Sequence, residues 1–74
     1  MNLGLAIKVR RTQLRMKQAQ LAKLCGISVN YISLLENNAR TPGFDLLQEI
    51  AGSLDIAMSE LIAQAESYGG DNVT

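Results

Sequence analysis

Apolar residues recur along this chain at the spacing of an α-helix, in five short segments. Leu3, Ile7 and Leu14 form the apolar stripe of the first segment, and Leu21 and Leu24 belong to that of the second. The commonest residues favour helices, and two tyrosines, one phenylalanine and one proline do not make a β-rich composition. The predicted helices cover residues 3–15, 18–25, 29–36, 44–54 and 58–66. The sequence therefore predicts an all-α fold without a sheet.

The length of 74 residues is enough for one domain. A domain of this size hides only about 60% of the surface that its unfolded chain exposes, so we expect a small core. With 47% hydrophobic and 19% charged residues, the composition is that of a folded globule. We expect the helical domain to span residues 1–66, and residues 67–74, which end in YGGDNVT, to form a disordered tail.

The stretch QAQLAKLCGISVNYISLLEN has a single glycine between its two predicted helices. Gly26 suits the left-handed residue that ends a helix, and Ser28 is a good N-cap for the next helix. Ala22 is small enough for a close helix contact, and Ile32 and Leu35 give the following helix an apolar inner face. This spacing predicts a helix-turn-helix, with an ordinary helical hairpin as the alternative. The loop that follows is NNARTPG, whose Asn, Pro and Gly residues favour turns.

The charged residues are divided unevenly along the chain, although its formal net charge is zero. Residues 1–40 contain seven basic residues and one acidic residue, a net charge of +6. Residues 41–74 contain six acidic residues and no basic residue, a net charge of −6. We therefore expect an electrically polarised molecule with one face suited to a polyanion. The alternative is that both sets of charges serve only solubility.

Several kinds of chemistry are disfavoured by residues that the sequence lacks. Cys25 is the only cysteine and there is no histidine, so we expect no disulfide, no metal site and no cofactor. A lone thiol fits a reducing cytoplasm, and Cys25 is expected to be a small core residue. With no histidine and no Gly-rich phosphate loop, an enzyme is not expected. No apolar stretch approaches the roughly 20 residues that a membrane span needs, and nothing resembles a signal peptide.

The helix-turn-helix stretch resembles that of the phage-repressor and Cro family, the XRE-type transcriptional regulators. The resemblance runs from Ile7 to Leu61 and covers most of the chain. It rests on Arg11, Gln18, the YIS-x-x-E of residues 31–36, the R-x-P of residues 40–42 and the L-x-I-x-x-x-E-L of residues 54–61. It implies a compact five-helix, lambda-repressor-like domain with the helix-turn-helix at helices two and three. It also implies sequence-specific binding to double-stranded operator DNA, with repression as the expected effect.

The outward face of the third predicted helix is suited to reading DNA bases. If the apolar residues Ile32 and Leu35 face inward, the outer face of the helix is uncharged. It consists of Asn30, Ser33, Leu34 and Asn37, with Val29 and Tyr31 at its margins. In a major groove, amides pair with adenine and apolar groups meet the thymine methyl. We expect Asn30 and Ser33 to make polar contacts with bases, and Val29 and Leu34 to contact thymine. For Leu34, packing or plain surface exposure is the alternative.

Phosphate contacts are expected from residues around that helix. Gln18 matches a position at which the resembling family binds phosphate through the side chain and the helix N-terminus together. The alternative is that the Gln18 side-chain amide is only solvated and contacts no phosphate. Tyr31, Asn37 and Arg40 flank the third helix and are expected to reach the two DNA backbones. The predicted DNA contacts are Gln18, Ser28, Val29, Asn30, Tyr31, Ser33, Leu34, Asn37 and Arg40.

Arg11 and Glu36 are predicted to form a structural ion pair between the first and third helices. Spacing alone allows Arg10 in place of Arg11, and the family resemblance selects Arg11. The alternative is a pair of solvated charges. A buried pair would brace the helix-turn-helix against the first helix.

Self-association is expected because members of the resembling family usually bind DNA as dimers. The apolar residues Met58, Leu61 and Ile62 of the fifth predicted helix are the candidate homodimer interface. A two-fold dimer reads a near-palindromic operator. The alternative is that these three residues only close the monomer core.

A protein-binding module is the rival function, such as an antitoxin-like partner that uses this fold to hold another protein. The acidic second half and the apolar residues of the fifth helix would serve that role. Salt-dependent affinity for duplex DNA distinguishes the two functions. For a DNA-binding regulator we expect a cytoplasmic location in contact with the nucleoid, and no membrane partner.

Overall fold

The computed structural model describes residues 1–69, which contain five α-helices and no strand. The helices are α1 (Leu3–Gln13), α2 (Gln18–Cys25), α3 (Val29–Glu36), α4 (Phe44–Ser53) and α5 (Met58–Gly69). The bounds of α2 and α3 agree with the sequence prediction, whereas α1 and α4 end one or two residues earlier than predicted. The all-α, five-helix fold is confirmed.

Each of the first four helices ends one or two residues before a residue in the left-handed region of backbone conformation. These residues are Arg15, Gly26, Asn38 and Asp55, with φ angles of 55°, 69°, 59° and 54°. A left-handed residue turns the chain away from the helix and lets later N–H groups bond to the last free carbonyls. The sequence prediction located only the glycine, because glycine is the usual residue for this conformation.

Helix α5 is longer than the sequence predicts. It extends to Gly69, so residues 67–69 are helical and their assignment to a disordered tail is wrong. Residues 70–74 of the predicted tail lie outside the described residues. The end of α5 lies beside the start of the chain, where the Asn2 N–H donates to the Ala65 carbonyl at 2.8 Å. This contact with the N-terminal segment extends the packing of α5 against α1.

One apolar core lies between the five helices. Its buried residues are Ala6, Ile7, Leu21, Ala22, Ile32, Leu35, Ile50, Ala51, Leu54, Leu61 and Ala65. Two leucines expected in the apolar stripes are exposed, Leu14 by 38% and Leu24 by 55%, whereas Leu3 is partly buried against the core. Leu14 lies beyond the last residue of α1 and so leaves its helical register. Leu24 lies on the outer side of α2, because this short helix buries only Leu21 and Ala22.

The prediction that Leu61 lies in a homodimer interface is wrong. Leu61 is 0% exposed and packs within the core of the single chain, so it has no surface to offer a partner. Its neighbours Met58 and Ile62 are only partly buried. The helical period explains the difference, because one face of α5 covers the core while adjacent positions reach the surface.

Candidate nucleic-acid interface

A tight turn joins α2 to α3 and fixes the angle between them. Gly26 takes the left-handed conformation with φ 69° and ψ 30°. The Ile27 N–H then donates to the Ala22 carbonyl at 3.0 Å. Ser28 caps α3, because its hydroxyl oxygen accepts from the Tyr31 N–H at 3.1 Å. The predicted helix-turn-helix, with its glycine turn and serine cap, is therefore present.

Helix α3 has a buried inner face and an uncharged outer face. Ile32, Leu35 and Glu36 are buried on the inner side. Val29, 47% exposed, and Asn30 lie on the outer side at the start of the helix. The residues of the outer face and its margins are Val29, Asn30, Tyr31, Ser33, Leu34 and Asn37, each exposed or partly exposed. The predicted orientation of α3 is confirmed.

The inner face of α3 is fixed to α1 by an ion pair. Arg11 Nε donates to Glu36 Oε2 at 2.6 Å, and Arg11 Nη2 donates to Glu36 Oε1 at 3.1 Å. The third guanidinium nitrogen, Nη1, donates to the Met16 carbonyl at 2.7 Å. Arg11 is only 8% exposed and Glu36 only 7% exposed. The predicted pair is present, and its two-point geometry sets the position of α3 against α1.

Gln18 also contacts this buried carboxylate. Its side-chain Nε2 donates to Glu36 Oε1 at 2.9 Å, so the amide turns toward the ion pair. A primary amide nitrogen carries two hydrogens, and the bond to Glu36 uses one of them. Gln18 is also the first residue of α2, where backbone N–H groups lack acceptors within the helix. The start of α2 therefore offers backbone donors beside the Gln18 amide, and Glu36 holds that amide in place.

Arg10 has a structural role that the sequence did not reveal. Its Nε donates to the Leu54 carbonyl and its Nη2 donates to the Asp55 carbonyl, both at 2.9 Å. These carbonyls belong to the turn that ends α4, so the cation bonds to acceptors left over at a helix C-terminus. Backbone carbonyls carry no sequence signal, which is why spacing alone left Arg10 as a candidate partner for Glu36.

The turn after α3 presents the remaining predicted contacts. Asn37 is exposed, and its side-chain Nδ2 donates back to the Ser33 carbonyl at 2.9 Å. The Ala39 and Arg40 N–H groups both donate to the Leu34 carbonyl, at 2.9 and 3.3 Å. Arg40 is exposed at the end of this turn. The structure thus brings all nine predicted DNA contacts to α3, its two flanking turns and the start of α2.

The exposed charges differ between the two parts of the fold. The exposed basic residues of α1–α3 and their connections are Lys8, Arg15, Lys17, Lys23 and Arg40. The exposed acidic residues of α4, α5 and the turn between them are Asp45, Glu49, Asp55, Glu60 and Glu66. A polyanion is therefore attracted to the helices that carry the candidate interface and repelled by the other two.

Cys25 lies apart from the outer face of α3. Its thiol donates to Ser53 Oγ at 3.6 Å in the contact between α2 and α4. Burial raises the pKa of this thiol, the bond to Ser53 opposes the rise, and the charge of Glu49 adds to it.

Within residues 1–69 no three His, Cys, Asp or Glu side chains come together as metal ligands. No helix in that range has both the length and the hydropathy to cross a bilayer.

Comparison with known sequences agrees with this geometry. The Helix-turn-helix family model matches residues 7–61. The immunity repressor protein of Bacillus phage phi105 is 30% identical over 64 residues, which cover 86% of this chain and 44% of that protein. This chain therefore spans less than half the length of that relative.

Solved structures share the same arrangement of helices. The clp gene regulator ClgR from C. glutamicum superposes with a TM-score of 0.91 at 21% identity, over 96% of this chain and 92% of that one. The P22 c2 repressor, solved in complex with a synthetic operator, has a TM-score of 0.77 at 30% identity, over 82% of this chain and 92% of its own. The chain therefore belongs to the XRE-type helix-turn-helix family of DNA-binding regulators. The resemblance inferred from the sequence is confirmed.

Proposed function

We propose that this protein is a transcriptional regulator that binds double-stranded operator DNA by inserting α3 into the major groove. The observation that carries the proposal is the uncharged, exposed outer face of α3, held from behind by the buried Arg11–Glu36 pair. The P22 c2 repressor, 30% identical to this chain, is bound to a synthetic operator in its solved structure. Family, fold and surface chemistry support the same function.

Base reading is assigned to four residues of α3. Asn30 carries an amide that suits the paired donor and acceptor of adenine, and Ser33 can donate or accept. Val29 and Leu34 offer methyl groups to the thymine methyl. Val29 and Asn30 are exposed, which supports direct contact, whereas Ser33 and Leu34 are partly buried. The first turn of α3 therefore carries the strongest case for sequence recognition.

Phosphate contacts are assigned to the residues around α3. Gln18 would donate the second hydrogen of its amide, together with the backbone N–H groups at the start of α2. Ser28 accepts from Tyr31 through its oxygen, which leaves its hydroxyl hydrogen to donate. Tyr31, Asn37 and Arg40 would complete the set through hydroxyl, amide and guanidinium groups. These contacts position the domain on DNA without reading its sequence.

A homodimer would place two copies of α3 on a near-palindromic operator, about 34 Å or one helical turn apart. Met58 and Ile62 on α5 are the proposed contact residues, since both are partly exposed. Sedimentation equilibrium tests this proposal, because a dimer gives a mass that rises with concentration. The same measurement on the Ile62→Asp variant is expected to return a monomer, and a monomeric wild type at high micromolar concentration would refute the dimer.

The proposed mode of action is repression by occupying DNA, without catalysis and without a cofactor. The name of the phi105 relative, an immunity repressor, supports this mode. Occupancy needs only affinity and correct placement, which the helix-turn-helix supplies. The proposed site of action is the cytoplasm, at the nucleoid.

Fluorescence anisotropy with a labelled random duplex of about 30 base pairs, or three helical turns, tests the proposed function. The affinity is expected to fall between about 50 and 200 mM salt, with a slope of about 0.9 log units per neutralised phosphate. Binding of this kind would justify a selection for the preferred operator. Absence of binding at the lower salt concentration would contradict the proposal and favour a protein partner.

A further inference from the structure

Asn38, two residues beyond α3, bonds through its side chain to the start of α1. Its Oδ1 accepts a hydrogen bond from the Gly4 N–H at 2.9 Å. Its Nδ2 donates to Asn2 Oδ1 at 2.7 Å, and the same Asn2 oxygen accepts from the Leu5 N–H at 3.1 Å. We call these bonds of Asn2, Gly4 and Asn38 the asparagine latch. The latch satisfies two of the N–H groups that the first turn of α1 leaves without a helical acceptor.

The backbones on the two sides of the latch approach each other closely. Gly4 is buried against the end of α3, and a Cβ atom at this position would lie 2.6 Å from the Leu35 carbonyl oxygen. Only glycine allows this approach, since a side chain would force the two helices apart. The latch therefore forms where α1 and the end of α3 already touch.

The latch holds a part of the interface that the buried ion pair does not reach. The Arg11–Glu36 pair fixes the last residue of α3, whereas Asn38 lies within the turn that follows it. The proposed phosphate contacts Asn37 and Arg40 stand on either side of Asn38 in sequence, and both are exposed. Fixing Asn38 thus fixes the backbone between two proposed DNA contacts.

The side chain of Asn38 is not needed for the turn itself. Asn38 has φ 59°, a conformation that glycine adopts at least as readily as asparagine. The N–H groups that close the turn belong to the backbone and would remain in a glycine variant. The amide therefore contributes the latch alone, which allows its effect to be separated from that of the turn.

We propose that Asn38 is a positioning residue for DNA binding, and that the asparagine latch orders the turn so that Asn37 and Arg40 meet phosphates. This inference rests on the proposed function. It predicts that loss of the latch removes phosphate contacts from a protein that remains folded. Such a loss lowers both the affinity and its dependence on salt.

The test is the anisotropy titration of Asn38→Gly on the random duplex, below the melting temperature measured by circular dichroism. We expect about a tenfold loss of affinity and a salt slope shallower by about 0.9 for each lost phosphate contact. Asp55→Gly is the control for the backbone exchange, because it also introduces glycine at a left-handed residue, φ 54°, in the turn after α4. It removes a carboxylate as well, so its affinity should not fall. The control is expected to keep the wild-type salt slope.

A second variant changes Asn2, the residue that bonds to the Asn38 amide in the latch. Asn2→Ala removes the acceptor of Asn38 Nδ2 and also the cap bond from the Leu5 N–H. Measured below its own melting temperature, it should shift the affinity and the slope in the same direction. While folded, the double variant should bind DNA no more weakly than Asn38→Gly alone, since both substitutions break one network. Its thermal stability should be lower, because it also lacks the Asn2 cap of α1. If Asn38→Gly does not fold, Asn2→Ala decides the question by the same two readouts.

The outcomes separate this inference from the function on which it rests. A wild type that does not bind duplex DNA contradicts the proposed function, and the latch inference falls with it. A wild type that binds, with a folded Asn38→Gly variant that keeps its affinity and slope, overturns the latch inference alone. A loss of affinity with an unchanged slope, or losses that add in the double variant, would also overturn it.

Discussion

The first three helices and the last two are held in place by different kinds of interaction. Within residues 1–69, every side-chain hydrogen bond has at least one partner between Asn2 and Asn38. Helices α4 and α5 and their connecting turn contribute two backbone carbonyls and the hydroxyl of Ser53 to these bonds. Their share of the core is apolar, namely Ile50, Ala51, Leu54, Leu61 and Ala65.

This difference between the two parts matches their different structural roles. Hydrophobic burial is strong but not directional, so it suits helices that serve as a support. Hydrogen bonds and a two-point ion pair fix orientation, which a surface that reads another molecule requires. The ion pair and the bonds of Gln18 and Asn38 lie behind and beside α3. Substitutions in the two parts should therefore differ in the unfolding free energy that they remove. They should also differ in whether they disturb the orientation of α3 or only the apolar core.

The largest effect is expected for Glu36→Ala, which breaks the buried pair. Arg11 would keep its charge without its partner, and such a loss typically costs about 3–5 kcal/mol of unfolding free energy. Urea denaturation followed by circular dichroism measures it. Glu60→Ala, at an exposed carboxylate of α5, is the control and should change stability by less than about 0.5 kcal/mol. A loss below about 1 kcal/mol for Glu36→Ala would contradict a structural role for the pair.

The second largest effect is expected for Leu61→Ala on α5. Leu61 is 0% exposed, and removing such a buried leucine side chain costs about 2–5 kcal/mol. Its neighbour Ile62 is partly exposed, so Ile62→Ala should cost clearly less in the same denaturation experiment. Equal losses for the two variants in the monomer would contradict the assignment of Leu61 to the core and Ile62 to the surface.

Arg10 links the two parts, and its removal should have an intermediate effect. Arg10→Met keeps much of the side-chain length but loses both bonds to the Leu54 and Asp55 carbonyls. The residue is partly exposed, so we expect a loss of about 1.5 kcal/mol, at the low end for bonds from a charged group. Lys8→Met, at an exposed position of the same helix, is the control and should be nearly neutral. Equal stabilities of the two variants would show that Arg10 does not support the turn after α4.

The smallest effect concerns Cys25, which lies between the two parts. Because burial raises its pKa, the folded thiol should react with a thiol reagent only at a higher pH than an unfolded cysteine does. The unfolded chain then releases this proton first, so stability should fall slightly as pH rises through the ordinary range of cysteine. The Cys25→Ala variant should lose that part of the pH dependence. Reaction of the folded protein at the pH typical of a free cysteine would contradict the burial.

Local signals in the sequence were enough to predict much of the fold. The glycine turn, the Ser28 cap and the inner face of α3 depend on neighbours in sequence, and all are present in the structure. The ends of α1 and α4 were less predictable, because Arg15 and Asp55 adopt a left-handed conformation without being glycine. Leu24 shows the limit of periodicity, since nothing in a local pattern says which side of a short helix faces the core.

The polar support of the site was harder to predict than its surface. The family resemblance selected Arg11 for the pair with Glu36, whereas spacing alone also allowed Arg10. The bonds of Arg10 and Asn38 use backbone groups far away in sequence as acceptors or donors, and such groups leave no pattern. Gln18 was predicted as a phosphate contact, but its bond to Glu36 depends on the packing of three helices. Hydrogen bonds between residues far apart in the sequence are therefore the part of the site that could not be predicted.

The most direct test of the central claim is to compare Asn30→Ala with the wild type on two duplexes. One is the preferred duplex selected from a random library, and the other is a random duplex of equal length. We predict that Asn30→Ala loses about 1–3 kcal/mol on the preferred duplex, little on the random duplex, and no thermal stability. Equal losses on both duplexes, or a wild type that shows no preference at all, would contradict base reading by the outer face of α3.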